Sequence, residues 1–300
     1  MKFSIVTPAY NSERYIRETI ESVIRQKGAF SIEYIVLDNQ STDRTCDIAK
    51  EYQQQLTAGT TAIHCHDVQL HLYSERDVGM YDAIKKGFAR ATGEVHAWVN
   101  SDDMYLPGAF DVVQRTLSKY PQIAWLKGIT SYINEHSTVY AAGQCNLYRQ
   151  DFIEAGLYGP VLRFIQQDSV FWRATLWQES GGVDETLSLS GDYFLWKAFS
   201  KVTPLYSLNA HVSCFRKRTN QKSSDTEAYF REIESISKVD PHLSRRIRRR
   251  MSCIERLPRP LRPLCYRVAF GQHKHHLVLL ENGTVPTLVE DEYFALKNML

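Results

Sequence analysis

Residues 3–24 read FSIVTPAYNSERYIRETIESVI, and their patterning decides the fold class. FSIVTP is a short apolar run rich in β-branched residues, as expected of a strand covered on both faces. It stops at Pro8. From Tyr15 onward the period changes: Ile16, Thr19, Ile20, Val23 and Ile24 recur at helical spacing, and Ser12 is placed to cap the helix. The same strand-then-helix unit repeats along the first hundred residues. EYIVLD (33–38) precedes STDRTCDIAKEY (41–52), whose helix is expected to start near Thr42 or Asp43. LHLYSE (70–75) precedes MYDAIKKGFARA (80–91), and EVHAWVN (94–100) runs into Ser101-Asp102-Asp103. Such alternation predicts an α/β fold with a mostly parallel, Rossmann-like sheet flanked by helices.

Asp38, Asp77 and the pair Asp102–Asp103 each fall where a strand is expected to end. In open parallel sheets those ends line one crevice where ligands bind. Acidic side chains far apart in sequence are therefore expected to converge. A divalent ion with oxygen preference, Mg²⁺ or Mn²⁺, takes one or two carboxylates and completes its shell with phosphate oxygens and water. Asp102 and Asp103 meet that requirement. Taken alone, a Ser-Asp-Asp loop is as readily a cap for the helix starting near Pro107.

The segments TPAYNSERYIRETIESV (7–23), IVLDNQSTDRT (35–45), SERDVGMYDAIKKG (74–87) and ATGEVHAWVNSDDMY (91–105) together resemble the inverting glycosyltransferases of family two, of the bacterial polysaccharide type. The resemblance is strong over about the first 110 residues. It continues more loosely through FIQQDSVFWRATLWQESGG (164–182) and LSGDYFLWKAF (189–199) to about residue 224. It implies a nucleotide-diphospho-sugar transferase (GT-A) fold, a nucleotide-sugar donor (a UDP-sugar favoured), and Mn²⁺ or Mg²⁺. The turn Pro8, Ala9, Tyr10, Asn11 is then expected to wrap the nucleotide. Asp38 would contact the base and Asp77 would lie near base and ribose. Asp102 and Asp103 would serve ribose and metal, with Asp103 the expected direct ligand. Where relatives carry Asp-x-Asp-Asp, this chain has Asn100 at the first position.

Inversion needs a base to take the acceptor hydroxyl's proton. The resemblance nominates Asp192, in SGDYFLW, whose ordinary alternative is a helix cap. Asp168, in QQDSVFW, is a second candidate, as a supporting or acceptor-side residue. Arg216 and Lys217 are candidate diphosphate contacts if the loop KRTNQKSSD (217–225) closes, against a solvated basic loop. Lys86 is a further phosphate candidate or a surface lysine. Trp196 and Trp172 are candidate sugar platforms or core aromatics. His64-Cys65-His66-Asp67 lacks a second ligand pair at zinc spacing and reads as a sheet edge.

Three hundred residues at 43% hydrophobic content form a sizeable core, and a net charge of +2 argues against a general nucleic-acid binder. No apolar run approaches the roughly 18 residues of a membrane span. The opening MKFSIVTPAYNSERY is too short in its apolar part for a signal peptide, and six scattered cysteines read as reduced thiols, so a cytoplasmic location is expected. The expected organisation is a nucleotide-sugar subdomain over 1–110, an acceptor and catalytic subdomain over 111–230, and a basic helical appendage over 231–300. Nine arginines against one acid between Arg245 and Arg267 suit peripheral contact with an anionic membrane, and with it a glycan or polyprenyl-linked acceptor. A solvated or dimerising arm is the alternative. Two other functions fit the same sheet: a nucleotidyltransferase, although TPAYNSERY lacks the expected glycine-rich loop, and a non-catalytic nucleotide binder.

Overall fold

The structure, a computed structural model, describes residues 1–219, 221, 225–271, 273 and 276–289. The strand-helix alternation is present throughout the N-terminal half: β1 (Lys2–Ala9), α1 (Ile16–Ile24), β2 (Ser31–Asp38), α2 (Thr45–Thr57), β3 (Asp67–Ser74), α3 (Met80–Arg90) and β4 (Val95–Trp98). Next come β5 (Met104–Tyr105), α4 (Ala109–Lys119), β6 (Trp125–Ile133), β7 (Val139–Ala142), α5 (Gln150–Glu154), β8 (Val170–Arg173), α6 (Ala174–Ser180), α7 (Gly191–Val202) and β9 (Tyr206–Arg216). The chain then forms α8 (Thr226–Ile236), α9 (Pro241–Glu255), α10 (Arg262–Phe270), β10 (Leu277–Glu281) and β11 (Val285–Val289).

One sheet runs through the molecule in the order β11-β10-β9-β6-β8-β4-β1-β2-β3, with β5 on β9 and β7 on β6. β1 pairs in parallel with β2 and β4, and β2 with β3; β8 opposes both β4 and β6. β1 and β2 are buried from Phe3 to Ala9 and from Ile32 to Asp38, which explains why their sequences lack alternation. The edge strand β3 does alternate at its start, with Asp67 and Gln69 exposed and Val68 and Leu70 buried. α3 lies close on the sheet because Gly87 faces Val6, where an added Cβ would sit 2.6 Å from a methyl carbon.

Three local expectations change. Ser12 does not cap α1 with its side chain: its carbonyl accepts the N–H groups of Tyr15 and Ile16, while its hydroxyl turns to Tyr10 and Ser101. The Ser-Asp-Asp loop does not cap α4, which starts at Ala109 after Gly108 in the left-handed region at φ 84°. The 231–300 segment is more than a helical appendage. Leu277 and Val278, both buried, pair with Ser207 and Leu208 and add a hairpin to the main sheet. The His64–Asp67 stretch lies at the exposed edge, and the six cysteines are free. Among the described residues no helix is long and apolar enough to cross a membrane.

β4 also buries an imidazole. His96 stacks on Phe88 with ring centroids 4.9 Å apart, and neither ring nitrogen meets a partner at hydrogen-bond geometry. Burial pushes its pKa from 6.5 down to about 4. The unfolded chain therefore takes up more protons as pH falls from 6.5 towards 4, so this group's contribution to stability is present above that window and lost within it. At pH ~5 the loss is about 2 kcal/mol. Urea midpoints of wild type and His96→Leu, compared at neutral pH and at about pH 5, should show the smaller acid loss in the variant. Equal losses would rule out the ring as the source.

Candidate active site

The loops after β1, β2, β3 and β4 are tied together at the carboxyl ends of their strands. The Asn39 N–H donates to the Ala9 carbonyl at 2.9 Å. Asn11, held at φ 47°, accepts from the Thr42 N–H at 2.9 Å and donates its own N–H to Ser41 Oγ at 2.8 Å. Asparagine tolerates this left-handed backbone better than most residues. Ser12 Oγ meets Ser101 Oγ at 2.7 Å, and the Asp77 N–H donates to Asn39 Oδ1 at 2.9 Å. Four separate stretches of chain thus form one crest. Pro8 and Ala9 are buried beneath it, whereas the Tyr10 ring stands 59% exposed above it.

Asp38 sits at this crest but faces inward, with 1% exposure. Its carboxylate accepts from the Ser41 N–H at 3.1 Å, the Ser74 hydroxyl at 2.7 Å and the Cys46 thiol at 2.9 Å. These bonds staple the end of β2 to the end of β3 and to α2. The structure therefore shows a loop-holding carboxylate where a base contact was expected. Asp77 accepts from the Gly79 N–H at 3.0 Å and shapes the turn into α3.

Asp102 and Asp103 are adjacent in sequence and differ in surroundings. Asp103 has no exposed surface; Oδ1 accepts from the Arg216 N–H at 2.8 Å and Oδ2 from the Asn100 amide at 3.3 Å. Burial first, then the nearby charges of Asp102 and Asp168, push its pKa well above the ordinary carboxylate range. Both oxygens of Asp103, the expected direct metal ligand, are engaged by the protein. Asp102 lies at the rim, where its Oδ2 accepts from Arg218 Nε at 2.7 Å in an ion pair. Asn100 has a physical use here: its amide donates to Asp103, where a third carboxylate would repel it.

Arg216 is likewise not the mobile phosphate ligand expected from its sequence position. It is fully buried at the end of β9 and donates to the Asp102 carbonyl, the Asn134 carbonyl, Ser137 Oγ and Glu18 Oε2, at 2.7–3.1 Å. Its guanidinium also lies 4.3 Å from the Tyr15 ring centroid. It clamps the acidic loop against α1. The residue that sequence reasoning missed is Arg218, two positions on, whose half-buried head reaches Asp102. Lys217 is exposed. Of the loop 217–225, positions 220 and 222–224 lie outside the described residues, so its closure is not addressed by the structure. Lys86 pairs with Asp82 at 2.9 Å and with the Arg76 carbonyl, not with the crest.

Asp168 lies in a single 3-10 turn before β8, buried, accepting from Ser213 Oγ and facing Lys127. Burial raises its pKa and lowers that of Lys127 to about 8. It is enclosed between Ser213 of β9 and Lys127 of β6. Trp172 and Trp196 are core aromatics: Trp196 stacks on Trp98 with centroids 5.8 Å apart and planes 8° from parallel.

Asp192 is not the N-cap residue of α7, although its carboxylate accepts a first-turn N–H. The N-cap position of α7 is Ser190, and Asp192 occupies the first turn with its carboxylate turned to a small pocket bordered by Phe164, Trp196 and Tyr229. Oδ1 accepts from the Tyr193 N–H at 2.8 Å and the Tyr229 hydroxyl at 3.2 Å, with the Tyr81 hydroxyl at 3.5 Å. Burial outweighs these donors and lifts its pKa to about 6. Gly191 makes the approach possible, since a Cβ there would lie 2.8 Å from the Tyr81 ring. Tyr81 belongs to the first turn of α3, directly after the Asp77 loop, and ties that turn to the start of α7 through the Leu189 carbonyl and Asp192.

The fold has counterparts among known proteins. The fold is that of S. aureus TarS 1–349 in complex with UDP-GlcNAc, at TM-score 0.57 and 16% identity, covering 89% of this chain and 87% of that one. A mannosyltransferase from Pyrobaculum calidifontis in complex with GDP-Man and Mn²⁺ is similar at TM-score 0.53 and 15% identity, covering 89% of this chain and 52% of that one. In sequence, an uncharacterised glycosyltransferase of Rickettsia prowazekii is 26% identical over 205 residues, 68% of this chain and 60% of the relative's length. A putative teichuronic acid biosynthesis glycosyltransferase, TuaG of Bacillus subtilis, is 34% identical over 103 residues, 34% of this chain and 36% of that protein. The family profile described as glycosyl transferase family 2 matches residues 4–172, which hold all four strands of the crest and the loop of Asp102 and Asp103. With more than half of its length matched and the crest assembled within that stretch, this chain belongs to glycosyl transferase family 2.

Proposed function

We propose that the protein transfers a sugar from a nucleoside diphosphate donor, a UDP-sugar by preference, to a hydroxyl of a glycan or polyprenyl-linked acceptor, with inversion at the anomeric carbon. The observation that carries this reading is the Ser12–Ser101 junction, which brings the exposed Tyr10-Asn11 turn next to Asp102. Tyr10 supplies a face for a base, and the polar turn and the acidic loop supply the ribose and diphosphate side.

A divalent ion fits this chemistry with Asp102 as its protein ligand. Asp102 already holds a cation, the Arg218 guanidinium, at 2.7 Å. Among the described residues no group of three acidic, histidine or cysteine side chains gathers as a closed metal cage. Mg²⁺ or Mn²⁺ bound through a diphosphate needs only one or two carboxylates. When bound, such an ion stabilises the charge that develops on the departing diphosphate. Asp103, Arg216 and Glu18 hold the loop, and Arg218, paired with Asp102 here, would supply a guanidinium to phosphate oxygens if Asp102 held the ion. Asp192, ionised at neutral pH with a pKa of about 6, takes the proton of the attacking hydroxyl.

The test is a thermal-shift series of nucleoside diphosphates and their sugars, with and without Mn²⁺, followed by donor hydrolysis. Binding to the native state raises its stability with the logarithm of ligand concentration over Kd. UDP and a UDP-sugar with Mn²⁺ should give the largest shifts, and hydrolysis should release nucleoside diphosphate. Release of pyrophosphate from a nucleoside triphosphate and sugar phosphate would replace this reading by nucleotidyl transfer. Undiminished turnover after thorough chelation would reject the metal's role.

A further inference from the structure

The sequence between 241 and 270 folds into two helices whose polar and apolar groups are sorted in space. α9 and α10 flank an open groove of about 590 Å³. Arg245, Arg246, Arg249 and Arg250 line one side, and Ile254 and Ala269 belong to its apolar floor. All four arginines are exposed, and no carboxylate lies within ion-pair distance of them among the described residues. Beside the groove, Leu261, Leu264 and Val268 are 49%, 58% and 81% exposed. Their spacing of three and four residues puts them on one side of the α10 segment.

Neither half of this surface is explained by the fold. An exposed stripe of leucine and valine is unfavourable in water, and four neighbouring arginines repel one another; Arg245 and Arg250 meet only the neutral Pro241 and Ala269 carbonyls and the His242 ring, and none of the four meets a carboxylate among the described residues. A single partner relieves both if it offers phosphate groups at its surface and hydrocarbon just beneath. The geometry points to a bilayer of anionic lipid as that partner: the arginines take the headgroup phosphates, and Leu261, Leu264 and Val268 enter the boundary between headgroups and chains. A nucleic-acid backbone would match the arginines and leave the apolar stripe in water. A second copy of the chain would cover the stripe and set arginine against arginine.

The surface is fastened to the body. Ile247 of α9 packs with Phe152 and Leu157, and Arg149 donates to the Phe270 carbonyl at 3.0 Å while its guanidinium lies 4.1 Å from the Phe152 ring centroid. Ile153, next to Phe152, borders the Asp192 pocket. Docking through α9 and α10 therefore fixes how the Asp192 side of the molecule is held above a membrane. The inference does not depend on the nucleotide-sugar reading and is tested without turnover.

The experiment is flotation of the full chain with vesicles of phosphatidylcholine alone and of phosphatidylcholine mixed with phosphatidylglycerol, at low and high salt. Binding is expected on the anionic vesicles and not on the neutral ones. Each arginine near such a surface contributes about fivefold, so Arg246→Glu with Arg249→Glu should lower partitioning by at least about 25-fold. Leu264→Asp with Val268→Asp should lower binding even at low salt, which a purely electrostatic attraction would not do. These side chains are exposed, so circular dichroism melts should match the wild type. Equal binding to neutral vesicles, no binding to anionic ones, or indifference to both double variants would overturn the inference. So would a wild-type dimer in sedimentation that the Leu264→Asp, Val268→Asp variant dissolves, or oligonucleotide binding tighter than vesicle binding.

Discussion

Asp192→Asn is expected to lower kcat for sugar transfer by about 10²–10⁴-fold while leaving donor binding nearly unchanged. The substitution keeps the size of the side chain and its acceptor oxygen for Tyr193, so α7 should fold as before. What it removes is the group that accepts a proton. The pH profile carries the more specific signature. The active form of a general base is the ionised one, and burial holds this carboxyl at about 6. Turnover in wild type should therefore fall on the acid side of pH 6 by about tenfold per unit, and the variant's residual rate should lose that limb. Tyr229→Phe removes a hydroxyl that donates to the carboxylate, so it should move the limb to higher pH. A variant with near wild-type kcat, or a limb unmoved by both substitutions, would exclude Asp192 as the base.

Asp102→Ala is expected to reduce donor turnover by about 10³-fold, the equivalent of ~4 kcal/mol of lost charge stabilisation at the leaving diphosphate. It should also abolish the Mn²⁺-dependent part of the thermal shift given by UDP. Stability without ligand should change little, because the Arg218 partner is 38% exposed and such a pair contributes about 1 kcal/mol or less. Asp103→Ala provides the contrast. Its carboxylate is enclosed by Arg216 and Asn100, so its removal should alter the melt in the absence of any ligand. Arg218→Ala tests the exchange of cations at Asp102: with the guanidinium gone, the concentration of Mn²⁺ needed in the absence of nucleotide should fall. Isothermal titration of the metal alone reads this directly. An Asp102→Ala protein that keeps metal-dependent turnover would move the metal away from this loop.

Much of the site could be read in the sequence, and the part that could not has a definite character. Strand ends were legible because a parallel strand buried on both faces is a continuous apolar run, and its stop is visible at Pro8, Asp38 and Asn100. Asp192 was legible only through resemblance. Its partner Tyr81 lies 111 positions away in the chain, and Gly191 lets that ring close in. The Ser12 cap failed because a hydroxyl at Ser101 competes for the same side chain, and local propensity contains no record of that partner. The hairpin of β10 and β11 was hidden for a similar reason: its apolar residues match no local period, and its register is set by β9.

The chain's own residue order determined the α/β class, the succession of strands and helices through β4, and the placing of carboxylates just after strand ends, since hydrophobic periodicity is a property of neighbouring residues. Only the tertiary structure decided which partners hold each of those carboxylates. Asp102 and Asp103 are indistinguishable by local chemistry, and their roles part because the Arg216 N–H, 113 positions away, closes over one of them while Arg218 reaches the other at the rim. Burial of a charge is governed by partners brought in from distant chain, and no short window of sequence contains them.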